Sequence, residues 1–325
     1  MMPLPTFDLA QPRLVEDAIA LLTEAGDEGR ILAGGTDLLV NMKQGIESPR
    51  LLVSLSDLPL RGVTATDDGG LIIGAGELLD VVAHHPLVLD RAPAVADAAS
   101  RVAHPQARRM GTLGGNVCLN VRCRWVNRTT AWRGALGGCL KTFDTLCHVV
   151  PGGRRCVAAL SGDTVPPLAA LGAQVEIVGP RGRRLELVAD IRDKDGTHPL
   201  TLGPADIVTA IHIPGSPERR LSAYEKWAPR KAVDFPQVSV AIICDRDDSD
   251  RIAAMEIVVG ALGPRPKAIR KLDQFIGDTL TESLAEAVGA LVVKQVKHLP
   301  NVLGEPTYRQ RVLGVLVKRR LASWS

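Results

Sequence analysis

The chain has 325 residues, enough for about two domains. Its 39 Lys and Arg stand against 36 Asp and Glu, a balance that excludes a general nucleic-acid or membrane-surface binder, and aromatics at 3% are too few for a base-stacking platform. The longest stretches without Asp, Glu, Lys or Arg, Met110–Val121 and Thr164–Val175, fall well short of the roughly 20 apolar residues that a spanning helix needs. Met1-Met2-Pro3-Leu4-Pro5 lacks the basic and apolar regions of a secretory signal, so a reducing cytoplasm is expected. In chain order, Val15, Ala18, Ile19 and Leu22 recur at helical spacing and predict an amphipathic helix over about 13–25. Ile31–Ala33, Leu51–Val53 and Leu71–Ile73 read as short strands, Glu77–Ala83 and Ala92–Val102 as helices, and Pro105–Asn116 as a glycine-rich loop. Residues 118–156 hold neither period. Gln174–Val178 and Arg184–Val188 flank a hairpin turn, and Ile207–Ile213 is a further strand. The breakers Pro214-Gly215-Ser216-Pro217 suggest a domain boundary. Strands follow at Ser222–Trp227, Val238–Cys244 and Ile252–Ala261, then helices at about 265–276, 282–297 and 306–323. No repeat or low-complexity tract is visible. The class is α+β: mixed sheets first, then an antiparallel sheet covered by helices.

Two glycine segments stand out, Ala33-Gly34-Gly35-Thr36-Asp37 after a strand and Thr112-Leu113-Gly114-Gly115-Asn116 some 80 residues later. Glycine lets an anion approach the backbone, and Thr36 and Thr112 add hydroxyl donors. Together they suit a pyrophosphate held from two sides; taken singly, each is an ordinary turn. Neither is a G-x-G-x-x-G or a P-loop.

Five of the six cysteines lie within 39 residues. From Cys123 the spacing is C-x15-C-x7-C-x8-C through Cys139, Cys147 and Cys156. Four thiolates match the needs of a 4Fe-4S cluster, and the paired knuckles usual in four-cysteine zinc sites are missing. Zinc stays open as the structural alternative, and Cys118 as a rival first ligand. Cys244 ends an apolar strand and reads as a core residue. Residues 118–156 carry Arg122, Arg124, Arg128, Arg133, Lys141, Arg154 and Arg155 against Asp144 alone. That charge either compensates an anionic cluster or docks an acidic electron carrier. The seven histidines, with no H-E-x-x-H spacing, are expected to be structural or on the surface. No Ser-His-Asp or paired-carboxylate arrangement is legible.

Leu32-Ala33-Gly34-Gly35-Thr36-Asp37-Leu38-Leu39 and Thr112-Leu113-Gly114-Gly115-Asn116 resemble the two FAD-pyrophosphate loops of the flavoprotein subunits of molybdenum hydroxylases. That family includes the carbon monoxide dehydrogenase medium subunit and the FAD part of xanthine dehydrogenase. Ser161-Gly162-Asp163 before Pro166-Pro167-Leu168, Lys226 in Tyr224-Glu225-Lys226, and Tyr308-Arg309-Gln310-Arg311-Val312-Leu313 extend the likeness over nearly the whole chain. The cysteine segment resembles an insert in the β subunits of 4-hydroxybenzoyl-CoA reductases.

The resemblance implies an α+β chain. Residues 1–216 would form a two-part FAD-binding domain of the vanillyl-alcohol oxidase (PCMH) type, interrupted by a 4Fe-4S insert at 118–160. Residues 217–325 would be a sheet-and-helix C-terminal domain of the CO dehydrogenase flavoprotein type. Leu32, Ala33, Gly34, Gly35, Thr36, Asp37 and Leu38, with Thr112, Gly114, Gly115 and Asn116, would wrap the pyrophosphate. Asp163 and Lys226 would lie near the flavin, and Cys123, Cys139, Cys147 and Cys156 would ligate the cluster, leaving Cys118 outside. No catalytic residue is assigned to this chain. The partners implied are a molybdopterin large subunit, a 2Fe-2S small subunit and ferredoxin as electron donor. The activity implied is reductive removal of the phenolic hydroxyl of 4-hydroxybenzoyl-CoA. A related hydroxylase acting on another aromatic or N-heterocyclic substrate, and a flavin-free scaffold with structural zinc, are the other readings.

Overall fold

Three sheets organise the computed structural model, which describes residues 3–325. β1 (Asp8–Ala10), β2 (Gly29–Leu32) and β3 (Leu51–Ser54) form a parallel sheet in the order β1-β3-β2. A parallel pair needs a crossover, and the helix Val15–Ala25 provides it between β1 and β2. That helix buries Ala18 and Leu22 against Val53, Leu58 and Ile207.

β4 (Val63–Ala65), β5 (Leu71–Gly74), β6 (Gln174–Gly179), β7 (Gly182–Leu187) and β8 (Ile207–Ile213) form a second sheet in the order β4-β5-β8-β6-β7. Every pair in it is antiparallel. The two early sheets are thus one all-parallel and one all-antiparallel, not mixed. Along β6, Val175 and Ile177 are buried while Gln174, Glu176 and Val178 are more exposed, the alternation of a strand with one face on the core. Between β5 and β6 the chain leaves this sheet and lays three helices, Leu79–His84, Pro86–Arg91 and Pro93–Ser100, onto the core. It then passes through the second glycine segment and the cysteine segment before returning.

β9 (Arg220–Trp227), β10 (Val238–Arg246), β11 (Ile252–Gly260) and β12 (Lys267–Ala268) form the third sheet, antiparallel in the order β12-β11-β10-β9. β10 is buried on both faces. Val238, Val240, Ile242 and Cys244 meet the helices Glu282–Gln295 and Pro306–Ala322, whereas Ala241 and Ile243 join the core around Leu168. Cys244 is the core residue its strand pattern implied. Arg309, fully buried, donates from Nε to Gln237 O at 2.8 Å and from its two terminal nitrogens to Leu299 O and Ala261 O, both at 2.8 Å. The guanidinium fork thereby satisfies three loop carbonyls that burial would otherwise leave unpaired.

The helix expected over about 265–276 is absent. Lys267–Ala268 instead pairs with Val258–Val259, and Ile269 N bonds to Ile257 O at 2.9 Å. Pro264 and Pro266 remove donors at the start of the segment, and Ile269 and Leu272 are spaced helically only because both reach the same core. The Pro105–Asn116 loop closes into two short helices, Pro105–Arg108 and Leu113–Val117. A helix at Val165–Ala170 begins at Val165-Pro166-Pro167, where the first turn tolerates prolines. Among the described residues, no helix is long and apolar enough to cross a membrane.

Candidate functional site

The first glycine segment leaves β2 after Leu32, turns at Gly35 (φ +69°) and enters the helix Leu38–Lys43. None of the backbone N–H groups of Ala33, Gly34, Gly35, Thr36, Asp37 and Leu38 donates to a protein acceptor among the described residues. Six consecutive unpaired donors on a half-exposed turn are what an anionic ligand needs, since such groups are otherwise paired.

The second segment packs directly beside the first. A Cβ added to Gly34 would lie 2.0 Å from Met110 O, and one added to Gly111 would come within 3.3 Å of Thr36 Oγ1. The Thr112 hydroxyl caps the helix Leu113–Val117 by accepting from Gly115 N at 3.0 Å. Leu113 N and Gly114 N are taken by Glu77 O and Ala75 O, each at 2.8 Å. The glycines were expected to clear room for phosphate. Gly34 and Gly114 instead let backbone meet backbone: a Cβ at Gly114 would stand 2.8 Å from Ala75 Cβ and 2.9 Å from Ala75 O. Gly34→Ala therefore separates the two loops, and flavin occupancy measured by absorbance is expected to drop by at least half. Full occupancy in that variant would show that the loops need not touch.

Asn116 carries the second loop onward. Its Oδ1 accepts from Thr164 N at 3.1 Å and Thr164 Oγ1 at 2.8 Å. Beside Thr164, the buried Asp163 accepts from Tyr224 Oη at 2.5 Å and Lys226 Nζ at 2.9 Å. Lys226 also donates to Arg101 O at 2.8 Å. Asp163 and Lys226, 63 positions apart in the chain, thus form one ion pair. Burial pushes the Asp163 carboxyl up, and Lys226 and Tyr224 oppose that shift. Tyr224, hydrogen-bonded to the same carboxylate, was quoted in the sequence only as part of a motif.

The cysteine segment starts at a neck where Arg122 and Ala159 exchange backbone bonds, 3.1 Å from Arg122 N and 2.8 Å from Ala159 N. It contains two helices the periodicity did not reveal, Thr130–Ala135 and Leu140–Phe143. Cys123, Cys139, Cys147 and Cys156 line one small cavity that opens to solvent. Cys118 is not among its lining residues. Cys139 sits at the start of Leu140–Phe143, and Cys147 Sγ accepts from Val150 N at 3.4 Å. Cys156 is held through its N–H to Asp195 Oδ1 at 2.9 Å and its carbonyl to Gly196 N at 2.8 Å. Burial pushes the Cys123 thiol up to about 11 and raises that of Cys156. Among the described residues, no three His, Cys, Asp or Glu side chains converge on the position of a single metal ion.

Lys141 and His148 also face this cavity. His148, expected to be a structural or surface residue, stacks on Trp125 with ring centroids 5.0 Å apart, and Trp132 follows at 5.9 Å from Trp125. On the C-terminal side, Asn301 holds the wall residue Val157 in place: its Nδ2 donates to Val157 O at 2.7 Å and Leu262 O at 2.9 Å, and its carbonyl accepts from Arg124 N at 2.8 Å. Arg133 is not the solvated arginine its position in a basic segment implied. It is 3% exposed and donates at 3.0 Å to each of Gln44 O and Gly45 O. Arg124, Arg128, Arg154 and Arg155 are exposed, with Arg124 and Arg128 lying over Trp125 and Trp132 at 5.2 and 5.0 Å.

Comparison with known proteins places this geometry. Residues 5–216 match the family described as the FAD binding domain in molybdopterin dehydrogenase, and residues 222–323 match the CO dehydrogenase flavoprotein C-terminal domain. The chain belongs to this family of FAD-binding subunits. The aldehyde oxidoreductase FAD-binding subunit of Escherichia coli is 31% identical over 81% of this chain and 86% of its own. The nicotine 6-hydroxylase medium subunit of Paenarthrobacter nicotinovorans is 27% identical over 98% of both. A solved carbon monoxide dehydrogenase from Hydrogenophaga pseudoflava, in a form lacking the Mo-pyranopterin moiety, shares the fold with a TM-score of 0.79, 22% identity and 99% coverage of each chain. As a molybdenum hydroxylase FAD-binding subunit, the chain has its two glycine loops, with their unpaired N–H run, in the matched FAD-binding domain.

Proposed function

We propose that this chain carries both FAD and a 4Fe-4S cluster and transfers electrons within a molybdenum enzyme, 4-hydroxybenzoyl-CoA reductase. The observation that carries the reading is the cavity shared by Cys123, Cys139, Cys147 and Cys156, built on a member of the FAD-binding subunit family. Four thiols gathered at one cavity, without the paired knuckles usual in four-cysteine zinc sites, suit a cluster better than one zinc ion. When bound, FAD and the cluster supply electron exchange in steps of one or two between a donor and molybdenum on another subunit. The N–H run from Ala33 to Leu38 binds the pyrophosphate, with Thr36 and Thr112 at its edges. Asn116, through Thr164, ties that site to the buried Asp163–Lys226 ion pair, which would lie near the flavin. Residues 1–216 act as the FAD domain and 217–325 as the C-terminal domain, in the cytoplasm, with a molybdopterin large subunit and a 2Fe-2S small subunit as partners.

Ferredoxin is the proposed donor. Its acidic surface complements the exposed Arg124, Arg128, Arg154 and Arg155, which stand outside the cysteine cavity. The buried Arg133 takes no part in docking. A related hydroxylase acting on an N-heterocycle is the second reading, favoured by the likeness to the nicotine 6-hydroxylase medium subunit. Anaerobically purified protein is expected to hold four irons, acid-labile sulfide and one FAD per chain. One zinc without sulfide would overturn the cluster. The assembled complex separates the two substrates: benzoyl-CoA formed from 4-hydroxybenzoyl-CoA and reduced ferredoxin supports the first reading, and oxidation of an N-heterocycle alone the second.

A further inference from the structure

The cysteine segment is fastened to the first glycine loop and the helix behind it. Arg122, the residue before Cys123, forms an ion pair through Nη2 with Asp37 Oδ1, and its Nη1 donates to Asn127 Oδ1 at 3.0 Å. Asp37 belongs to the run of unpaired N–H groups, and its other oxygen accepts from Asn41 Nδ2 at 2.9 Å. Farther along, Thr130 Oγ1 and Arg133 grip Gln44 O at 3.1 and 3.0 Å. Gly45 (φ +63°) makes room for this seat, because a Cβ there would lie 2.5 Å from Thr130 Oγ1.

We propose that Arg122 is a positioning residue that couples occupancy of the cysteine cavity to the affinity of the glycine loop for FAD. This rests on the reading of the cavity as a cluster site. The argument is electrostatic. A carboxylate at the edge of a pyrophosphate site repels its ligand unless a cation neutralises it. Arg122 is the cation in contact with Asp37, at 8% exposure, so solvent screens the pair little. Linking Cys123 to three distant thiolates through one cluster restricts the neck from which Arg122 projects, and so reduces the ordering that FAD binding must supply. Linkage makes the effect mutual: bound FAD raises the affinity of the cavity for its cluster by the same factor.

The test is a flavin titration, by quenching of flavin fluorescence, of the full chain stripped of FAD. Iron and sulfide are assayed on the same samples. With the cluster present, Arg122→Gln is expected to weaken FAD about ten-fold, and removing the cluster from the unaltered chain with a chelator by a similar factor. Removing it from Arg122→Gln is expected to add little. Arg122→Lys, which keeps the charge, is expected to lie between. The double variant Asp37→Asn/Arg122→Gln removes the repulsion as well and is expected to recover most of the affinity, which a purely structural role for Arg122 would not allow. Arg122→Gln with four irons and unaltered FAD affinity would overturn the proposal. So would cluster removal with the same effect in both backgrounds, or a double variant no better than Arg122→Gln. A wild-type chain with no iron or sulfide would instead overturn the cluster reading and the coupling, and the variant titrations would then decide whether Arg122 serves the FAD loop.

Discussion

Cys123→Ser is expected to remove the cluster, with iron falling from four atoms per chain to near zero, whereas Cys118→Ser keeps all four. Cys123 is buried and Cys118 partly so, and burial pushes each thiol up to about 11, so chemistry at the sulfur does not distinguish them. Place does. Cys123 lines the cavity with Cys139, Cys147 and Cys156, while Cys118 ends the helix Leu113–Val117 on the other side of the neck. Its charged neighbour is Arg192, itself buried and donating to Leu119 O at 2.8 Å and to Val117 O. Serine at Cys118 changes one sulfur in packed surroundings and is expected to cost about 1 kcal/mol of stability. Iron and sulfide assays on the two variants are the measurement. Iron loss in Cys118→Ser with retention in Cys123→Ser would mean that the ligand set begins one cysteine earlier.

The largest loss of stability is expected from Lys226→Met. The substitution leaves the Asp163 carboxylate buried with only the Tyr224 hydroxyl, and an uncompensated buried charge costs about 3–5 kcal/mol. Asp163→Asn/Lys226→Met removes both charges and is expected to recover most of that loss. The pH dependence follows from burial, which raises the proton affinity of Asp163 in the folded state. A carboxyl raised above its unfolded value of about 3.9 is stabilising when protonated, and that contribution is lost as pH rises towards its folded value. The deficit of Lys226→Met is therefore smaller at about pH 5 than at about pH 8. Thermal melts of the single and double variants at both pH values test this, and equal deficits would show that Asp163 is not the group left uncompensated. Flavin content is expected to fall in Lys226→Met, because the ion pair lies beside Thr164, which holds Asn116 of the second loop.

The parts of the site set by spacing were legible in the sequence. Four cysteines at 15-7-8 intervals do share a cavity, and two glycine segments about 80 residues apart do meet. What each glycine does was not legible, because the atoms that Gly34 and Gly114 make room for, Met110 O and Ala75 O, belong to other segments of the chain. The same limit hid the Arg122–Asp37 pair, 85 positions apart, and turned Arg133 from a presumed surface charge into a buried clasp. Asp163 and Lys226 came from likeness to a family, and nothing in their local pattern shows that they pair. The false helix over 265–276 has a simple source: apolar residues three or four apart also suit an irregular chain lying along a core, and Pro266 was the contrary signal.

The bonds by which Asn301 fastens Val157, a wall residue of the cysteine cavity, set an order of events during synthesis. Protein is made from the N-terminus, and early segments begin to fold while later ones are still being added. Cys156 is already part of the nascent chain when Asn301 has yet to be translated, so the carbonyls of Val157 and Leu262 then lack the amide that holds them at 2.7 and 2.9 Å. Arg309, which secures Leu299 O just upstream of that asparagine, arrives later still. The fastening of Val157 is therefore made only after nearly the whole chain has emerged. For the cluster proposed above, this order places stable loading after the C-terminal segment has been made.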